Sequence, residues 1–189
     1  MSFIQCRNVT SIMTGFDKAW FIAGGWAIDL FIGEETRKHE DIEIAIFRKN
    51  QMNLKTYLKE WDIKKVIKGE FYHWGNEYLE LPIHELLATN RITGEKIEIL
   101  LNEIEGNNWV FRRDSRISYP HDLIFSYSET GIPYLKPEVV ILYKAKNTRQ
   151  KDHQDFLKIK DLLNIEKRQC LRTALELHAP KHKWIHYLL

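Results

Sequence analysis

Two cysteines in 189 residues, Cys6 and Cys170, stand far apart and share no CxxC spacing. That leaves no basis for a disulfide framework or a cysteine-built zinc site. No apolar run approaches the length of a membrane span, and the opening MSFIQCRN has neither the basic segment nor the apolar stretch of a secretion signal, so a cytoplasmic protein is expected. Charge of one sign is missing too: 28 Lys and Arg face 26 Asp and Glu. Such a balance provides no polybasic stripe and disfavours a nucleic acid or an anionic membrane as partner. Internal repeats and low-complexity tracts are absent. What remains is 44% hydrophobic and 29% charged, a globular composition able to build a core in one domain or two small ones.

The informative stretch is Phe21 to Phe47, FIAGGWAIDLFIGEETRKHEDIEIAIF. It reads as strand, glycine turn, helix, polar loop, strand. The apolar Phe21-Ile22-Ala23 ends at Gly24-Gly25, and Trp26 to Ile32 then carry apolar side chains at helical spacing until Gly33. Glycines at a strand-to-helix joint let backbone approach a ligand closely, and the free N–H groups of the first helical turn suit phosphate. In Asp41-Ile42-Glu43-Ile44-Ala45-Ile46 the three isoleucines take one face of an expected strand and Asp41 and Glu43 share the other. Positions two apart lie about 6.5–7 Å apart at Cα. Two carboxylates can therefore converge on one hard cation, and Mg²⁺ favours few carboxylates together with phosphate oxygens.

Gly24-Gly25-Trp26-Ala27-Ile28-Asp29, then Gly33, Thr36-Arg37, His39 and Asp41-Ile42-Glu43, resemble the opening motif of the aminoglycoside 2''-adenylyltransferase-like group. That group lies within the DNA polymerase beta-type nucleotidyltransferase superfamily, and the lincosamide nucleotidyltransferases start similarly. The resemblance implies an α+β fold, a mixed sheet flanked by helices, with a third carboxylate on a later strand. Glu43 stands where the family often has Asp, and Gly25 where many superfamily members have Ser.

Further along, Val9 to Phe16 has helical spacing, as does Asn50 to Trp61 with Asn50 as its cap. Asp62 to Ile67 and Glu70 to Trp74 read as strands joined at Lys68-Gly69. Gly75 to Asn90 fits no single period, and Pro82 interrupts any helix, so irregular structure is expected there. Its Glu77, Glu80 and Glu85, with Phe71, Tyr72, Trp74 and Tyr78, are available to wall an acceptor pocket, although core positions are the commoner fate of such aromatics. In Ile97-Glu98-Ile99-Leu100-Leu101 the apolar face leaves Glu98 opposite, where it joins Asp41 and Glu43 if the two strands are neighbours. Trp109 to Phe111 suggests another strand.

Composition changes near residue 118. Two parts are expected, a nucleotidyltransferase domain over 1–118 and a mainly helical C-terminal region over 119–189. Pro137 suits the first turn of a helix, Lys151 to Leu163 suggests a second, and Asn164 caps a third over Ile165 to His178. His178, His182 and His186 recur every four residues, but Pro180 breaks the helix and no carboxylate partner is near, which argues against a metal site. Pro137 to Asp155 again resembles the family, and Lys144 is the lysine chosen there for triphosphate oxygens.

The expected reaction is attack by an acceptor hydroxyl on the α-phosphorus of a nucleoside triphosphate, transferring AMP from ATP and releasing pyrophosphate. Two Mg²⁺ ions about 3.5–4 Å apart would neutralise and align the attacking and leaving oxygens. Asp41, Glu43 and Glu98 are the expected catalytic and metal-binding carboxylates, Glu98 either a ligand or the base. Gly24, Gly25, Arg37, His39 and Lys144 are expected on the nucleotide. The resemblance points to a small hydroxylated acceptor such as an aminoglycoside or a lincosamide. The rival is a catalytically inactive nucleotide-binding or regulatory protein with the same fold, and a metal-dependent phosphohydrolase is a third reading.

Overall fold

The computed structural model describes residues 2–188. The chain opens with α1, Ile4–Met13, which buries Cys6, Val9 and Met13 at spacings of three and four. It therefore starts and stops earlier than the expected Val9 to Phe16. β1, Trp20–Ile22, leads through extended Ala23 into α2, Gly24–Ile32, which ends at Gly33 with φ 91°. β2 is Glu43–Phe47. α3, Gln51–Tyr57, follows a single 3-10 turn, and the Asn50 side chain makes no cap. Trp61, expected at the end of that helix, instead opens β3, Trp61–Ile67. A hairpin through Lys68 and Gly69, both with positive φ, joins it to β4, Glu70–His73; two such residues match the twist of the strands they connect.

The segment expected to be irregular contains β5, Glu85–Asn90, with Leu86 and Ala88 buried on alternate positions. Pro82 precedes this strand rather than interrupting it. β6, Lys96–Glu105, is the longest strand, and β7 and β8 are Asn108–Val110 and Ser118–Pro120. β9, Phe125–Tyr127, and β10, Pro133–Leu135, come next. The helices α4, Pro137–Lys144, α5, Gln150–Ile159, and α6, Ile165–His178, complete the fold. Asn164 caps α6 as expected, accepting from the Lys167 N–H at 2.9 Å.

One mixed sheet runs β4-β3-β5-β6-β2-β1-β10-β9, and β7 extends from β6 to β8. The expected boundary at 118/119 is not a break in it: β10 pairs parallel with β1, and the helical part begins at Pro137. In the middle, β2 and β6 are parallel, with Glu43 opposite Glu98 and Ile44 opposite Ile99. Ile44, Ile46, Ile97, Ile99 and Leu101 are all buried on one face, where apolar surface removed from water is worth about 25 cal/mol per Å². The other face carries Glu43, Glu98, Leu100 and Asn102. That face is the floor of the site, and α4 with the loop to α5 walls it.

Candidate active site

Backbone geometry at the glycine joint is dictated by its neighbours. Gly24 has φ 58°, a conformation side chains disfavour, and a Cβ there would overlap the Glu43 carboxylate. A Cβ on Gly25 would overlap Arg37 and His39. The Gly-Gly pair thus admits close approach from two directions, Glu43 on one side and the polar loop on the other.

That loop is tied down from behind. The buried carboxylate of Asp29 accepts from the Thr36 hydroxyl at 2.6 Å and pairs with His39 Nε2 at 2.6 Å, while the His39 ring lies 4.4 Å from the Trp26 ring, centroid to centroid. Arg37 forks onto buried Asp155, donating from Nε and Nη2 at 3.1 Å each. Neither Arg37 nor His39 lines the cavity beside Gly24 and Glu43. Their donors are committed to carboxylates of the scaffold.

Asp155 also meets Lys144 at 3.2 Å, and Lys144 reaches Asp152 at 2.7 Å. Asp152 in turn accepts from the Arg149 N–H and Nε, at 3.0 and 2.9 Å. Burial pushes the Asp152 carboxyl up, but the Arg149 and Lys144 hydrogen bonds outweigh it and hold it at about 2. These links run from the loop to a cavity of about 410 Å³ whose lining includes Gly24, Glu43, Glu85, Arg112, Lys144 and Arg149. Glu85 is among the residues expected to be available for an acceptor wall; Arg112 and Arg149 are additions of the structure. Nearness in sequence to Lys144 is the signal for Arg149; nothing local marks Arg112.

Asp41 corrects an expectation. β2 begins at Glu43, so Asp41 lies just ahead of the strand and is exposed, although the bonding to β6 reaches back to Ile42, whose carbonyl accepts from the Glu98 N–H at 3.0 Å. Asp41 lines a second cavity of about 300 Å³ with Glu40, Glu95, Lys96 and Glu98. Adjacency of the strands does bring Glu98 beside Glu43. Burial raises the Glu43 carboxyl against the pull of Lys144 and Arg149. For Glu98, burial and repulsion from Glu43, Asp41 and Glu85 lift it to about 7. These are hard oxygen donors crowded without enough countercharge, which fits a divalent cation. Among the described residues no three ligating side chains already converge on one point.

Other candidates fall away. Trp74 is buried and donates to the Glu77 carbonyl at 3.0 Å, whereas Phe71, Tyr72 and Tyr78 are exposed, neither core nor cavity wall. Glu77 pairs with Lys65 at 2.6 Å and Glu103 with Arg48 at 2.7 Å. His182 contacts Thr148 at 3.0 Å, an ordinary tie between the C-terminal turn and the loop before α5.

A glycine joint thus lies beneath a carboxylate-bearing pair of parallel strands, walled by a basic helix end, on a mixed sheet flanked by helices. A profile of the aminoglycoside-2''-adenylyltransferase family matches residues 5–159, and the chain belongs to that family. No curated protein matches it. Among solved structures it is similar to ANT(2'')-Ia in complex with adenylyl-2''-tobramycin, at 18% identity and TM-score 0.62, covering 93% of this chain and 99% of that one. It is also similar to the lincomycin-bound lincosamide antibiotic adenylyltransferase LnuA, at 16% identity and TM-score 0.60, covering 86% and 99%. A nucleotidyltransferase-like protein from Paracoccidioides brasiliensis aligns at 17% identity and TM-score 0.50, covering 100% and 94%. At these identities the likeness is one of fold.

Proposed function

We propose that the protein transfers a nucleoside monophosphate, AMP from ATP, to a hydroxyl of a small antibiotic-like acceptor such as an aminoglycoside or a lincosamide. The observation that carries this is the pairing of Glu43 with Glu98 across β2 and β6, with a basic cavity reached by the first and an acidic one by the second. A triphosphate suits the basic side and a cationic acceptor the acidic side. Glu43 and Glu98 mark where the two would meet.

The Gly24 and Gly25 joint, Lys144 and Arg149 would bind the β- and γ-phosphates. Arg37 and His39 would serve the nucleotide indirectly, by fixing the loop against Gly25. Asp41 and Glu43 would hold Mg²⁺, which when bound supplies neutralising charge at the phosphoryl oxygens. In the reaction the acceptor oxygen forms a bond to the α-phosphorus, the bond to pyrophosphate breaks, and Glu98 takes the hydroxyl proton. A carboxylate raised to about 7 is matched to that task near neutral pH. A cytoplasmic setting belongs to the same reading, because Cys6 and Cys170 are unpaired thiols.

Calorimetric titration with a non-hydrolysable ATP analogue, with and without Mg²⁺, tests the site in the wild type and in Asp41→Ala. Binding that needs both Mg²⁺ and Asp41 is expected. Pyrophosphate release on addition of tobramycin or lincomycin then separates an active enzyme from a nucleotide-binding relative. Binding indifferent to Mg²⁺ and Asp41 would overturn the site.

A further inference from the structure

The basic wall of the cavity is carried on a short loop. Lys144 closes α4, α5 opens at Gln150, and of the five residues between them Lys146, Asn147 and Arg149 line the cavity together with Lys144. Carboxylates of α5 hold the two ends of this loop: Asp152 takes Lys144 and Arg149, and Asp155 takes Lys144. Its middle is held from elsewhere. Among the described residues, the contact between Thr148 and His182 is the one hydrogen bond that 145–148 receives from outside the two helices it joins. A segment with so few contacts is placed by whatever fixes its backbone.

His182 precedes a 3-10 turn, Lys183–Tyr187, and caps it: Nδ1 of the ring accepts from the Trp184 N–H at 3.3 Å. Burial and the nearby Lys183 and His153 lower the His182 pKa, so the ring is neutral near neutral pH and holds a single proton. With Nδ1 accepting, that proton is on Nε2, which lies 3.0 Å from the Thr148 hydroxyl. The histidine therefore donates to Thr148, and the hydroxyl's own proton turns to the Lys144 carbonyl at 3.2 Å, one of those a helix end leaves without a partner. The turn itself is anchored on α5. Trp184 is fully buried, lies 4.6 Å from the Phe156 ring, centroid to centroid, and donates from Nε1 to His153 Nδ1 at 2.9 Å. Asp152 and Asp155 stand on that same helix, so one rigid element sets both the cationic side chains and the loop that carries them.

We infer that the C-terminal turn is a latch on the phosphate side of the site and that His182 is a positioning residue: acting through Thr148, it fixes the loop from which Lys146, Asn147 and Arg149 face the β- and γ-phosphates. The inference rests on the nucleotidyl-transfer reading above and goes beyond it in giving a task to residues outside 5–159, the stretch the family profile matches. His182 meets no phosphate itself. Its loss lets the loop drift, and a small misplacement of charged groups costs most where they meet the most charge. The effect therefore grows with the number of phosphates on the nucleotide.

The test is equilibrium titration in Mg²⁺ with a non-hydrolysable ATP analogue and with AMP, no acceptor being present, on the wild type, His182→Ala, His182→Gln and Thr148→Val. His182→Ala and Thr148→Val are each expected to weaken the ATP analogue about tenfold and to leave AMP within about threefold. His182→Gln, which keeps an N–H donor at similar reach, is expected to recover most of the loss. Added to Arg149→Ala, His182→Ala should weaken the analogue by less than about threefold more, because the two act through one loop. Thr148→Val keeps the shape of its side chain and reads the same link if His182→Ala does not fold. Unchanged affinity for the ATP analogue in Thr148→Val would overturn the inference while leaving the nucleotide site standing. Variants that weaken both nucleotides in step would also overturn it, reducing the turn to general support of the fold. Binding of neither nucleotide by the wild type would refute the nucleotide site itself and the inference with it.

Discussion

Glu98 and Glu77 are the same residue in opposite circumstances. Glu98 lies on a central strand beside Glu43, with its carboxyl lifted to about 7 by burial and by neighbouring carboxylates. Glu77 lies beyond the exposed β4 hairpin at one edge of the sheet, and a hydrogen bond from Lys65 lowers its pKa. Acidic residues occur in both regions, and aromatics are dense near the hairpin. Only where the scaffold buries carboxylates together does their ionisation become costly enough to tune them for chemistry, whereas water and a flexible lysine stabilise the charge of the same group at the edge.

The largest expected contrast is in turnover. Glu43→Ala and Glu98→Ala should each lower the rate of pyrophosphate release by about 10²–10⁴-fold, with thermal melting showing a folded protein. Glu77→Ala should stay within about twofold, because water and salt screen an exposed ion pair. A large loss in Glu77→Ala would erase the distinction between the two regions.

Next in size is the glycine joint. Gly24→Ala should abolish nucleotide binding in titration, since its Cβ meets the Glu43 carboxylate, and should lower stability by about 1–2 kcal/mol from the left-handed backbone alone. Gly94→Ala supplies the matching control. It also has positive φ, but nothing lies near its Cβ, so it should lose similar stability and keep its nucleotide.

Arg37→Ala should act on stability more than on binding. It leaves Asp155 with Lys144 as its remaining cationic partner, and a loss of about 2 kcal/mol is expected in denaturant unfolding, with nucleotide affinity changed less than by Arg149→Ala. A larger effect of Arg37→Ala on affinity than on unfolding would return that arginine to the phosphate.

The smallest effect expected is a dependence on pH. Because the Glu98 carboxyl is raised in the folded protein, the native state holds an extra proton between about 4.5 and about 7, and stability falls as pH rises through that window. Glu98→Gln should remove this slope, so that in melting experiments without metal the variant gains on the wild type at pH 8 relative to pH 5. In the wild type the rate should rise with pH to a plateau, reached at lower pH as Mg²⁺ is raised. A flat profile would take the base role from Glu98.

Much of this was legible along the chain because it is local. The glycine joint, the alternation through Ile42, Ile44 and Ile46, the facing of Glu98 and the cap at Asn164 all depend on neighbours a few positions away, and helix and strand periods carry that information. The strand at Glu85 is not legible, because Leu86-Leu87-Ala88 shows no apolar–polar alternation and Pro82 stands close before it. The start of β2 at Glu43 is not legible either, since alternation in sequence does not show where a strand begins.

Tertiary structure decided the rest. Only the register of β2 with β6 places Glu98 next to Glu43, and only the return of α5 across the polar loop turns Arg37 away from a ligand and onto Asp155. Arg112, Arg149 and Glu85 meet around one cavity from three separate elements. The sequence by itself determined residue types and the local faces they occupy. Which charges are buried together, and therefore which are costly enough to be reactive, depends on distances between segments far apart in the chain, and the local periods of a sequence hold no record of those.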